Sequence, residues 1–215
     1  MRTRRKVLTW GLAAATIVSA LVLRSTPVSG HSQISSRERD GERRWQRPDP
    51  PCFDNTNRYV NCGNGTVTDT ATGLIWLQDA GCLGSLIWAE ANQAAAALEN
   101  GQCGLTDHSK PGDWRLPSNA EWNAMVDAAK NHPQLHCANP ALTDDSGSAC
   151  FGDGSGSSFV NVALNGYWSS TTYALSGGLL PDGTKAGTMP LSNGFLLTFF
   201  SKGCCPQPVW PVRVR

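Results

Sequence analysis

Three short phrases, each built around a tryptophan, constrain this 215-residue chain more than any other feature. They are Thr72-Gly73-Leu74-Ile75-Trp76, Asp113-Trp114-Arg115-Leu116-Pro117 and Tyr167-Trp168-Ser169-Ser170-Thr171. The sequence around them is dominated by Gly, Ser and Asn. A core must be built from bulky side chains, and here the bulk is indole. Trp76, Trp88, Trp114, Trp122 and Trp168 are therefore expected in the interior. The length suffices for one domain with extensions and a sizeable core.

The pattern from Cys52 onward predicts short strands, two helices and long polar loops. Val67-Thr68-Asp69 and Leu74-Ile75-Trp76-Leu77 flank a turn carrying Asp69, Thr72 and Gly73, which reads as a hairpin. A first helix is expected after Ser85, through Trp88-Ala89-Glu90-Ala91 to Leu98, stopping near Gly101. Ile87, Ala91, Ala94, Ala95 and Leu98 share one face of it, and the alanines permit close packing. A second helix follows Pro117. Ser118 and Glu121 form a capping box, and Trp122, Met125, Val126 and Ala129 supply its apolar stripe up to Pro133. Residues 138–158 read as a long polar loop, and Ser176–Asn193 as another. Strand-like runs lie at Tyr167–Tyr173, Phe195–Phe200 and Val209–Val214. Strands and helices do not alternate, so the expected class is α+β.

The first thirty residues read as an export signal: a basic run from Arg2 to Lys6, then the apolar stretch Val7–Leu23, then small residues. Thr3-Arg4-Arg5-Lys6-Val7-Leu8 also fits a twin-arginine pattern. An uncleaved inner-membrane anchor is the other reading, because the apolar run nears the length of a spanning helix. Either way the remainder is expected outside the cytoplasm, periplasmic or secreted. Residues 31–51 mix charges of both signs and end in prolines, which reads as a linker. The domain itself is taken as 52–215. It carries eight basic and thirteen acidic residues, although the whole chain is formally +1. That balance repels phosphate and sulfate backbones, so nucleic acid and heparin-like polymers are disfavoured partners.

Eight cysteines in one modest domain suit an oxidising compartment. They permit 105 connectivities, so proximity is the only guide. It favours Cys52–Cys62, Cys82–Cys103, Cys137–Cys150 and Cys204–Cys205. Each short loop so closed contributes roughly 2–4 kcal/mol when unstrained. Adjacent Cys204 and Cys205 would close a strained, easily reduced ring. A redox switch, bridges to separate partners and a rigid kink before Pro206 are all open readings.

The motifs occur in a specific order: Val67-Thr68-Asp69 and Thr72-Gly73-Leu74-Ile75-Trp76, Trp88-Ala89-Glu90-Ala91, Cys103-Gly104-Leu105, Gly112-Asp113-Trp114-Arg115-Leu116-Pro117 with Glu121, Tyr167-Trp168-Ser169-Ser170-Thr171, and Val212-Arg213-Val214-Arg215. This series resembles the DUF1566 family, also called the Lcl C-terminal domain, over about residues 62–215. The resemblance implies a C-type-lectin-like fold, distantly related to the formylglycine-generating sulfatase-modifying group. It implies a small, twisted, mostly antiparallel sheet whose first and last strands pair, two flanking helices, long irregular loops and disulfide staples.

Several residue groups carry candidate chemistry. Asp144, Asp145 and Asp153 offer oxygens in a flexible loop, and lectin-like folds often hold calcium there, though the calcium-loop spacing of an EF-hand is missing. No cofactor is otherwise expected. His132 and His136 have metal-pair spacing but are split by Pro133, and no further ligand motif accompanies them, so no metal site is assigned. His108 reads as a surface loop residue. Ser155 between glycines lacks a nucleophile's strand-turn-helix setting. Arg115 can bind a carboxylate ligand or pair with Asp113 or Glu121. Tyr167, Trp168 and Ser169 fit either the core or a sugar-stacking groove. The expectation is a non-enzymatic, exported binding or adhesion module that presents loops 138–158 and 176–193 to a carbohydrate or protein ligand. The rivals are a thiol or copper enzyme of the formylglycine-generating type using Cys204 and Cys205, and a structural envelope protein without a dedicated ligand. A membrane partner is expected only through an uncleaved N-terminal segment.

Overall fold

The hairpin expected around Gly73 lies at the centre of the first sheet. The computed structural model describes residues 52–54, 56–131, 133–153, 156–173, 183–195 and 198–214. The export signal, the linker, His132, Ser155 and residues 176–182 of the second expected loop lie outside the described residues. Strands β1 (Tyr59–Asn61), β2 (Thr66–Asp69), β3 (Leu74–Leu77) and β9 (Val212–Arg213) form a four-stranded antiparallel sheet in the order β1-β2-β3-β9. Gly73 adopts φ +72°, which lets Asp69 and Leu74 face each other across the turn. The end strands therefore share a sheet, but β9 pairs with β3 and not with the first strand as the resemblance implied.

A pair of two-residue strands, β4 (Ser85–Leu86) and β8 (Gln207–Pro208), follows, and then a three-stranded antiparallel sheet. The latter holds β5 (Gly166–Tyr173), β6 (Lys185–Pro190) and β7 (Thr198–Ser201) in sequence order. Helix α1 (Trp88–Ala97) buries Ala91 and Ala95. Helix α2 (Asn119–Lys130) has the expected capping box and buries Trp122, Met125, Val126 and Ala129. The class is α+β, with the strands divided among three small antiparallel sheets rather than gathered in one. Residues 185–190, expected as loop, are the central strand of the third sheet. Phe195 precedes β7 and is exposed, and the last expected strand shortens to two residues.

Indole side chains hold these pieces together. Trp210 lies 4.9 Å from Phe159, 5.3 Å from Tyr167, 5.4 Å from Trp76 and 5.9 Å from Trp122, ring centre to ring centre. These residues come from β3, α2, β5 and two connecting segments, so one cluster joins the first sheet, α2 and the third sheet. Trp76, Trp114, Trp122 and Trp168 are buried as expected. Trp88 is not; it is half-buried at the edge of a second cluster, with Lys202 Nζ 4.0 Å above its ring. Several indoles also donate to backbone carbonyls on distant segments: Trp122 Nε1 to Trp168 (3.2 Å), Trp168 Nε1 to Leu86 (2.8 Å), Trp88 Nε1 to Ser169 (2.8 Å) and Trp210 Nε1 to Leu77 (2.8 Å).

Cys52–Cys62, Cys82–Cys103 and Cys137–Cys150 are disulfide-bonded, as proximity suggested. The fourth expected bridge is absent. Cys204 and Cys205 are exposed free thiols. Adjacent Cα atoms sit about 3.8 Å apart, below the roughly 4.4–6.8 Å of ordinary bridges, so ring closure needs backbone rearrangement.

Replacing Trp210 by Ala removes the ring shared by the sheet, α2 and β5. We expect Trp210→Ala to cost about 3–5 kcal/mol in urea unfolding, against less than half of that for half-buried Trp88→Ala. Equal losses would show that Trp210 is not the hub.

Candidate functional site

The strand carrying Tyr167, Trp168 and Ser169 turns these residues inward, and all three are fully buried. The Tyr167 hydroxyl accepts from the Ala163 amide at 2.7 Å. Burial pushes its pKa up to about 12, against the pull of that amide. The Ser169 hydroxyl accepts from the Thr171 amide at 3.0 Å. None of the three offers a surface to a ligand, which corrects their assignment as binding residues. An aromatic pair among Ser and Thr suits a groove or a core equally well by sequence. The riveting of the Trp168 indole to Leu86 decides for the core.

Arg115 is half exposed but occupied. Its guanidinium grips Glu121 through Nη1–Oε2 at 2.7 Å and Nη2–Oε1 at 2.6 Å. Glu121 Oε2 also accepts from the Ser118 amide at 2.7 Å, so one carboxylate serves both the helix cap and the arginine. Burial would raise the Glu121 pKa, but Arg115 and the Ser118 amide outweigh it and hold the group below its ordinary range. The arrangement fixes the start of α2 and leaves little of the guanidinium for a ligand carboxylate.

The loop 138–158 is fastened down along much of its length. Ala141, Leu142, Thr143 and Asp144 are buried at one end, and Ser158 and Phe159 at the other. The Asp144 carboxylate accepts from the Ser146 hydroxyl and from the Ser148 and Ala149 amides. Asp145 accepts from the Ser158 amide at 2.7 Å and hydroxyl at 2.8 Å, while its carbonyl takes the Arg58 and Tyr59 amides. These two aspartates close the loop rather than open toward a cation. Asp153 is exposed and stands apart from that network. Among the described residues, no group of three or more His, Cys, Asp or Glu side chains could hold a metal ion.

Other charged groups inside the domain are likewise tied up in structure. Arg58 meets Asp69 at 3.3 Å and donates to the Ala124 and Met125 carbonyls of α2 at 3.0 and 3.1 Å. Arg213 meets Asp107 at 2.9 Å, and Asp107 also takes the Ser109 amide and hydroxyl.

Among the described residues, two open hollows, each of about 490 Å³, lie on the surface. One lies where β4–β8 meets the third sheet. Leu164, Asn165, Pro190, Phe200, Pro206 and Gln207 border it, with Ser85 and Ser192 contributing hydroxyls. Among the described residues, no charged side chain lines it. Leu164 is 43 % exposed there, and Gln207 Nε2 donates to the Cys205 carbonyl at 3.1 Å. The other hollow sits beyond the C-terminal end of α2, between Lys130, Asn131, His136, Asn193 and Phe195. Lys130 Nζ lies 3.2 Å over the Phe195 ring, so its charge is already engaged. Sequence reasoning missed the first hollow because its lining comes from five separate segments. The close spacing of Pro206 and Pro208 was its one local signal.

Residues 65–213 match the family model of the Lcl C-terminal domain. No curated protein and no solved structure matches the chain.

The Glu121 pair gives a pH signature. Its folded pKa is depressed, so its stabilisation is present above the unfolded carboxyl value of about 4.3 and is lost as pH falls through the lower folded value. Glu121→Gln should cost about 1 kcal/mol at neutral pH, a figure kept small because the pair is partly exposed. Urea unfolding between pH 7 and pH 3 should show the gap from wild type shrinking at the acid end. A constant gap would remove the carboxylate as its source.

Proposed function

We propose that this chain, which belongs to the Lcl C-terminal domain family, is an exported, non-enzymatic binding module of C-type-lectin-like architecture. Its ligand is a neutral saccharide of the extracellular or envelope space, taken at the hollow beside Leu164 and Phe200. The observation that carries this reading is the chemistry of the lining. Asn165 and Gln207 offer amides, Ser85 and Ser192 offer hydroxyls, and Phe200 with three prolines offers flat apolar faces. Sugars present the complementary pattern, with hydroxyls at their edges and C–H groups on their faces. A lining without charge on an acidic domain favours neutral over sulfated sugars. Three disulfides in a small domain support an oxidising compartment. The fastened aspartates of loop 138–158 give calcium no support.

A second reading, a thiol enzyme of the formylglycine-generating type, has the exposed Cys204 and Cys205 in its favour. Against it, the neighbouring Cys204 side chain raises the Cys205 pKa, whereas thiolate chemistry wants it lowered.

A glycan array read at two ionic strengths tests the proposal. We expect saturable binding to neutral glycans that changes little with salt. Asn165→Ala and Leu164→Asp, both at exposed positions, should weaken it by about tenfold or more, equivalent to about 1.4 kcal/mol. Binding confined to sulfated glycans and abolished by salt would overturn the reading. No saturable binding at all would favour an envelope component without a dedicated ligand.

A further inference from the structure

The segment that leads into the hollow carries the two free thiols. β7 ends at Ser201, β8 begins at Gln207, and Cys204 and Cys205 fall in the short connection between them. Pro206, Gln207 and Pro208, the next three residues, all line the hollow. Both thiols are exposed. Cys205 adopts φ +62°, a conformation disfavoured for a residue with a side chain. Its carbonyl accepts from the Gln207 side chain, so the thiol pair and the hollow share a backbone hydrogen bond.

We propose that Cys204 and Cys205 form a thiol–disulfide exchange couple that sets the shape of the hollow, with a low-molecular-weight disulfide as oxidant. The regulatory part rests on the hollow being the ligand site; the exchange chemistry does not. The steps balance without another reagent. One cysteine thiolate attacks the external disulfide, breaking its S–S bond, forming a mixed disulfide and releasing one small thiol. The neighbouring cysteine then attacks the bonded cysteine sulfur, closing the Cys204–Cys205 bond and releasing the second small thiol. The protein dithiol loses two electrons, the oxidant gains them, and both protons leave on the released thiols.

Ring closure cannot be local. Adjacent Cα atoms are closer than an ordinary bridge spans, so the peptide between them and the dihedrals on either side must turn. The left-handed Cys205 conformation and the Gln207 contact are the first to change. Downstream, the ladder of β8 with β4 and the Val209 amide, which donates to the Gly84 carbonyl at 3.0 Å, take up the movement. A bridge strained in this way is more readily reduced than the three other disulfides, so the couple can respond to its surroundings while they persist.

The test uses the full chain, first treated with a mild dithiol and then with glutathione disulfide. Differential alkylation with mass mapping follows the sulfurs, and hydrogen exchange follows residues 201–209. We expect the peptide holding Cys204 and Cys205 to lose two hydrogens and both alkylation sites while the other three bridges stay intact. Exchange at Val209 should shift by about tenfold, equivalent to about 1.4 kcal/mol. Cys205→Ser should stop at a glutathione adduct on Cys204 and leave Val209 unchanged. Persistent free thiols, or a stable adduct as the wild-type end product, would overturn the exchange couple. A closed ring with unaltered Val209 exchange would overturn its control of the hollow. Ring closure with the expected shift, but no glycan bound in either state, would support the couple and reject only the ligand reading.

Discussion

Trp210 is the side chain on which the rest of the structure converges. Its ring meets Trp76 of β3, Trp122 of α2, Tyr167 of β5 and Phe159 from the end of the long loop. Strands of two to four residues, such as β1, β4, β8 and β9, cannot hold a domain by hydrogen bonds alone. Edge-to-face and tilted aromatic pairs each add about 0.5–1.5 kcal/mol beyond the area they bury. One cluster of them serves three layers at once. The polar ends of the indoles then solve a second problem. Indole N–H groups donate to the Leu86, Ser169 and Leu77 carbonyls and so tie short strands and irregular connections to segments far away in the chain.

The covalent and polar fastenings complement this core rather than duplicate it. The Cys52–Cys62 bridge pins the chain entering β1 to its exit, and Cys82–Cys103 ties the approach to α1 to the segment beyond it. Cys137–Cys150 closes the base of the long loop, whose interior Asp144 and Asp145 then organise. Arg58 joins β1 to α2 by meeting Asp69 and two helix carbonyls together. The buried Arg58–Asp69 and Arg213–Asp107 pairs hold segments in register. In such pairs the cost of desolvation largely offsets the attraction, so specificity is the better account of their presence.

Local chemistry was legible in the sequence wherever it was self-contained. The Ser118–Glu121 box and the stripe Trp122, Met125, Val126 and Ala129 needed only helical spacing, and both are present. The β2–β3 hairpin needed only a turn and two apolar runs. β6 stayed hidden because Lys-Ala-Gly-Thr-Met-Pro has neither alternation nor β-branched density. Its glycine has a tertiary cause: a Cβ on Gly187 would lie 2.5 Å from Asn119 Oδ1 at the start of α2. Trp210 was hidden by its position between prolines, where no periodicity marks an inward residue. The hollow was illegible for the same reason as the hub, since each depends on segments far apart in the chain.

That shared origin bears on where recognition can sit. A core assembled from indoles fills space in large, flat pieces, and it does so where α2, β3 and β5 converge. The two-residue β4–β8 pair lies outside that convergence and meets the third sheet only at its margin. There the filling is incomplete, and Phe200, Pro190 and Pro206 remain partly uncovered. One wall of the hollow is the β7–β8 connection, where two exposed thiols precede three lining residues. The loop 138–158, by contrast, has its polar groups committed to closing itself. A long loop rich in Asp and Ser can therefore be a structural plug, while a five-residue connection leads into the hollow.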